Sequence, residues 1–130
     1  MELLKQCMAI GVGGFLGALS RYGLARGVQG WVDTTFPLGT LVVNVSGCFV
    51  LGFFMALAGE RASETVRLGV AVGFVGAYTT FSTLMFDSST LMGRGEMYKA
   101  GLNLLVSLVI GLLAVRLGAV CGNGLRMTGR

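Results

Sequence analysis

The chain has 130 residues, 54% of them hydrophobic and only 12% charged, with mean hydropathy +0.78 and a formal net charge of +4. A water-soluble domain spends about a quarter of its residues on charge, so this composition excludes one and predicts a single all-α integral membrane domain. Histidine is absent, which removes imidazole catalysis and a Ser-His-Asp triad. Cys7, Cys48 and Cys121 are too dispersed for CxxC metal or redox chemistry and read as small apolar fillers.

Charges mark the ends of the spans. An uncharged run separates Lys5 from Arg21, and since a crossing helix needs about 20 residues, the first span is expected over 3–24, with Lys5 snorkelling at its end. No small-residue cleavage site follows it, which argues against a signal peptide. The second span is expected over 36–59, where no residue is charged and Pro37 pre-sets the first turn. Trp31 and its polar neighbours upstream read as an interfacial loop.

The third span is expected over 66–92 and interrupted in its middle. There Gly73 and Gly76 precede Thr79, Thr80, Ser82 and Thr83. A break frees backbone groups, which a bilayer tolerates only where protein or an aqueous cavity satisfies them, and such irregular backbone marks ion or substrate sites. The fourth span is expected over 98–118. The Gly-rich basic tail 119–130 is expected to be flexible.

Four spans place both termini and the second loop on one side. Lys5, Arg61, Arg67, Arg116, Arg126 and Arg130 then oppose Arg21, Arg26, Arg94 and Lys99. Without the two tail arginines the sides are even, a weak orientation signal that keeps insertion in both orientations open, with an antiparallel dimer as its consequence. Basic residues that punctuate apolar runs are membrane flanks, so no nucleic-acid partner is expected. Gly13 with Gly17, and Gly69 with Gly73, carry GxxxG spacing, read first as packing inside one subunit. Four short helices leave no room for a lined pathway among themselves, so a polar pathway belongs at a subunit interface.

The polar residues inside the spans are few. Asn44 lies among Val42, Val43 and Val45, where an unpaired amide costs several kcal/mol, so it needs either an interhelical partner or a ligand. Its Asn-Val-Ser sequon is unusable within a span. Thr79, Thr80, Ser82 and Thr83 surround Phe81, whose ring has a positive edge. Edge, hydroxyls and the Asn44 amide together suit a small anion, with Ser107 and Asn103 adding donors one turn apart on the fourth span. Singly, such hydroxyls bond back to their own helix. Arg21 and Asp87 read either as interfacial charges or as part of a functional site. No carboxylate lies deep in a span, and Gly11–Gly17 fails the GxGxxG spacing.

The segments GGFLGALSRY, PLGTLVVNVSGCFVLG and GFVGAYTTFST, in that order, resemble the Fluc (CrcB) family of fluoride channels. The resemblance implies a dual-topology, antiparallel homodimer of four-helix subunits in the bacterial plasma (inner) membrane. It also implies two fluoride pores along the interface and a structural sodium ion at the centre. Carried over, Asn44 takes the place of the family's pore asparagine and Phe81 that of the first of two pore phenylalanines. Gly76 and Thr79 match the backbone carbonyls that hold sodium, and Arg21 the arginine near a vestibule. Ser82, Thr83 and Ser107 match the polar track, and Thr80 and Asn103 are expected to line the pore beside them. Three positions depart from the pattern: Leu84 stands for the second phenylalanine, Asn103 for a tyrosine and Asp87 for a glutamate. The implied activity is passive fluoride export rather than enzyme chemistry. Two other classes compete with this reading. A small proton-coupled multidrug or guanidinium exporter would want a glutamate within the first span, which has none past Glu2, and a non-transporting subunit would leave Asn44 unexplained.

Overall fold

The computed structural model describes residues 1–59 and 61–128, and all its regular structure is helical. Helix α1 is Glu2–Trp31 and α2 is Leu38–Ala58. The third stretch comprises α3 (Glu64–Arg67), a π-helical segment Leu68–Val75, α4 (Gly76–Tyr78) and α5 (Phe81–Gly93). Helix α6 is Met97–Thr128. Four segments, Glu2–Trp31, Leu38–Ala58, Glu64–Gly93 and Met97–Thr128, are long and apolar enough to cross a bilayer.

Local chemistry sets the helix ends. Ser63 caps α3 by accepting the Val66 N–H, and Thr80 caps α5 by accepting the Thr83 N–H at 3.2 Å. The turn between α5 and α6 uses Gly95 at φ 79°, a conformation that costs glycine nothing. The entry to α2 is organised from α1. Gln29 Nε2 donates to the carbonyls of Thr34 and Phe36, while its Oε1 accepts the Gly39 N–H at 3.2 Å, satisfying a first-turn donor of α2.

Packing relies on small residues rather than on a large apolar core. A methyl group on Gly17 would overlap the Phe74 carbonyl, and one on Gly13 the Gly69 carbonyl. The two GxxxG pairs therefore meet each other inside the subunit, seating α1 on the π-helical segment. In the same way Gly52 of α2 lies on the backbone of Val115, and Gly118 and Gly122 of α6 lie on the backbones of Phe49 and Phe53. Val43, Val75, Tyr78, Leu91 and Ala100 are buried, whereas Phe15, Leu105, Leu108, Leu112 and Leu113 point outward. Outward apolar faces are what hydrocarbon, or another protein surface, would cover.

Two boundaries differ from expectation. Helix α1 runs on to Trp31, so residues 29–31, the first part of the segment read as an interfacial loop, are its last turn, and only 32–35 leave the helix. Residues 119–128, expected to be flexible, continue α6; 129–130 lie outside the described residues. The reason is visible in the packing: Gly118 and Gly122 let α6 lie directly against α2, and that contact outweighs the roughly 1 kcal/mol that each helical glycine costs.

Candidate functional site

Between α4 and α5 the backbone leaves the helical region. Thr79 is extended at φ −79°, ψ 156°, and Thr80 at φ −148°, ψ 111°. In a continuous helix the Thr80 N–H would bond to the Gly76 carbonyl four residues back. Here it donates instead to Asn44 Oδ1 at 2.7 Å, and Asn44 Nδ2 donates to the Thr80 carbonyl at 3.0 Å. One amide side chain on α2 thus satisfies both backbone polar groups of Thr80, inside a segment long and apolar enough to cross a bilayer. Of the two readings open for Asn44, the interhelical partner is present. An amide nitrogen carries two hydrogens, so one N–H remains beyond that bond.

The hydroxyls beside Phe81 form a local network. Thr80 Oγ1 donates to Thr83 Oγ1 at 2.9 Å and lies 3.3 Å from Ser82 Oγ. Below the break, Thr79 Oγ1 bonds back to the Val75 carbonyl at 3.0 Å. On the α2 side, Ser46 Oγ pairs with the Tyr78 hydroxyl at 2.8 Å, anchoring the last residue of α4.

Three cavities gather most of the residues singled out from the sequence. The largest of them, about 580 Å³, is lined by Asn44, Thr79, Thr80, Phe81, Leu84 and Ser107 among others. The second, about 400 Å³, is lined by Arg21, Tyr22, Arg26, Thr40, Thr80 and Thr83. Asp87 lines the third, about 330 Å³, with Thr40, Gln29 and Arg94. Thr80 belongs to the first two and Thr40 to the last two, so these residues form shared walls.

Exposure divides the residues singled out from the sequence. Phe81 is 75% exposed in the single subunit, and Ser82, Thr83 and Gly76 are exposed too. Asn103 is fully buried and lines none of the three cavities; its Nδ2 donates to Ser88 Oγ at 2.9 Å, while Ser88 Oγ donates to the Leu84 carbonyl. The Asn103 Oδ1 and Ser107 Oγ atoms are buried without a hydrogen-bond partner in the subunit.

Sequence reasoning missed several residues that shape the site. Thr40 Oγ1 donates to Asp87 Oδ2 at 2.7 Å, holding the carboxylate against α2. Thr40 was detectable by the criterion applied to Asn44, a polar side chain within an apolar span. Gln29 carried no such signal, because its importance lies in reaching three backbone groups. Where the two loops meet the start of α6, Thr35 Oγ1 donates to Glu96 Oε2 at 3.1 Å and accepts from Lys99 Nζ at 2.7 Å, and Lys99 also pairs with Glu96. The Lys99 ammonium foremost, with the Thr35 hydroxyl assisting, holds the Glu96 carboxyl below the usual range.

The family whose sequence profile matches residues 8–119, described as CrcB-like protein, Camphor Resistance (CrcB), takes in all three motifs and the described cavities. The chain belongs to the CrcB family. A CrcB relative from Trichormus variabilis, named fluoride-specific ion channel FluC, is 42% identical over 94% of each chain. One of the same name from Hydrogenovibrio crunogenus is 44% identical over 90% of each. Another FluC, from Methylococcus capsulatus, is 46% identical over 86% of this chain, which spans half the length of that relative. With four crossing segments and these relatives, this CrcB chain is a multi-pass membrane protein of a channel family, not an enzyme.

Proposed function

We propose that the chain is a fluoride-selective channel that lets cytoplasmic fluoride leave passively, working as a dual-topology antiparallel homodimer in the bacterial inner membrane. The observation that carries this reading is the gathering of Asn44, Thr80, Phe81 and Ser107 on one cavity that a single subunit leaves open at Phe81. A second copy would close it, giving two pores by symmetry. The names of the relatives point to the same ion.

The chemistry follows from the donors. Fluoride is strongly hydrated, so entry requires groups that replace water. The spare Asn44 N–H, the Ser107 hydroxyl and the positive edge of Phe81 are such groups. Leu84 shares the cavity without a polarised edge, so Phe81 alone supplies aromatic contact from this stretch. The Arg21 guanidinium draws anions toward the adjoining cavity. Weak acid that enters as HF dissociates inside, and an inside-negative potential drives the anion out with about 2.3 kcal/mol per 100 mV.

A structural sodium ion is part of the proposal. The residues fit it: the Thr80 N–H is spent on Asn44 rather than on the Gly76 carbonyl, and Thr79 is extended. Carbonyl oxygens of Gly76 and Thr79 would hold the ion, as hard cations require oxygen ligands. Bound there, sodium would supply a fixed positive charge that joins the two subunits. Asn44 holds the interrupted backbone in the conformation that presents those carbonyls.

Expression of the chain in a fluoride-sensitive bacterial host that lacks its own exporter tests the proposal. The wild-type chain should restore growth in fluoride and the Asn44→Ala form should not. Absence of rescue by wild-type protein present in the membrane would overturn it.

A further inference from the structure

Arg26 lies outside all three motif segments, yet it lines the same 400 Å³ cavity as Arg21, Thr80 and Thr83. Helix length explains how a full charge sits there. The 30 residues of α1 span about 45 Å at 1.5 Å each, whereas hydrocarbon is about 30 Å thick, so its last turns emerge toward water. Arg26 is exposed, and its Nη1 donates to the Tyr22 hydroxyl at 3.3 Å, one turn back along α1. That bond joins the guanidinium to another lining residue of the cavity.

The charge balance of the cavity is one-sided. Two guanidiniums line it and no carboxylate does, among the described residues. The neighbouring carboxylate, Asp87, lines the adjoining cavity and accepts from Thr40 across the shared wall. A recess with low-dielectric walls and charge of one sign concentrates counter-ions.

We infer that Arg26, held by Tyr22, is a second electrostatic residue of the anion vestibule, setting the rate at which small anions reach the Thr80–Thr83 hydroxyls. The inference rests on the channel reading. It differs from a purely interfacial role, in which Arg26 would anchor α1 at the headgroups and leave anion flux alone. Attraction through solvent is screened: the Debye length is about 30 Å at 0.01 M salt and about 3 Å at 1 M. A vestibule charge therefore acts at low ionic strength and fades at high.

The test is single-channel fluoride current in planar bilayers at fixed fluoride activity, with ionic strength raised by an impermeant salt. Arg26→Gln should lower the current about threefold near 0.01 M and match wild type near 1 M. Arg26→Lys should restore it, and Tyr22→Phe, which frees the guanidinium, should fall between. Equal Arg26→Gln and wild-type currents at low salt would overturn the inference, as would a loss of the same size at both salts. A wild-type chain that passes no fluoride would overturn the channel reading instead, a result distinct from either.

Discussion

Asn44 and Thr80 exchange two hydrogen bonds across the subunit: the Thr80 N–H reaches Asn44 Oδ1 at 2.7 Å and the Thr80 carbonyl receives Asn44 Nδ2 at 3.0 Å. This pairing joins α2 to the only extended residues between α4 and α5. It makes one side chain answer for both the shape of the break and the lining of the cavity beside it.

Asn44→Ala leaves both backbone polar groups of Thr80 without their partner. At about 1–3 kcal/mol for each unsatisfied group, the variant should melt clearly below wild type in detergent and pass no fluoride. Asn44→Asp keeps the acceptor for the Thr80 N–H but loses the donor. It should recover part of the stability and none of the flux, a split that thermal melting and ion-flux assays read separately.

Thr80 also caps α5 through its hydroxyl, which accepts the Thr83 N–H. Thr80→Val should cost about 1 kcal/mol of stability and Thr80→Ser almost none. Chemical unfolding of the two variants side by side in detergent micelles measures the difference.

The close-packed glycines give a graded series. Gly17→Ala and Gly118→Ala would push a methyl into the Phe74 and Phe49 carbonyls, whereas Gly23 has open space around its would-be methyl. The first two should express poorly or melt well below wild type. Gly23→Ala should be neutral or up to about 1 kcal/mol stabilising, because alanine favours the helix. Detergent-solubilised yield and melting temperature decide it.

The contact between the two loops is pH-dependent. Lys99 holds the Glu96 carboxyl below its ordinary value, so the ionised form favours the folded chain. That contribution is fully present above the ordinary glutamate pKa, about 4.3. It is lost as pH falls through the lowered folded value. Melting followed from neutral pH into the acid range should therefore fall off less steeply for Glu96→Gln than for wild type.

Much of this arrangement is legible in the sequence, for reasons that differ by residue. Uncharged runs located the four crossing segments, since charge is costly in hydrocarbon whatever the fold. Asn44 stood out for the same reason. Its partner did not, because the Thr80 backbone has no signature of its own. Asn103 was grouped with Ser107 by helical spacing, yet it turns to Ser88 on α5, a choice made by tertiary packing. The residues past Gly118 looked flexible from composition, and only the close approach of α2 shows why their glycines are helical. Phe81 was singled out by its neighbours, and its 75% exposure adds what sequence cannot, a face that one subunit leaves uncovered.

That exposure yields a further prediction. Phe81→Ala removes little packing within the subunit, so the variant should fold and insert as wild type does. Fluoride flux should nonetheless drop by at least tenfold, since the cavity loses its aromatic edge, worth about 1.4 kcal/mol for each factor of ten. Flux from liposomes normalised to folded protein makes the comparison.

The central claim is selective fluoride conduction, and the most direct measurement is anion release from liposomes containing the purified chain. Fluoride and chloride electrodes are read in parallel after a potassium ionophore dissipates the opposing potential. Rapid fluoride release with chloride retained is the predicted result. Retention of fluoride by vesicles holding folded protein, or release of both anions together, would contradict it.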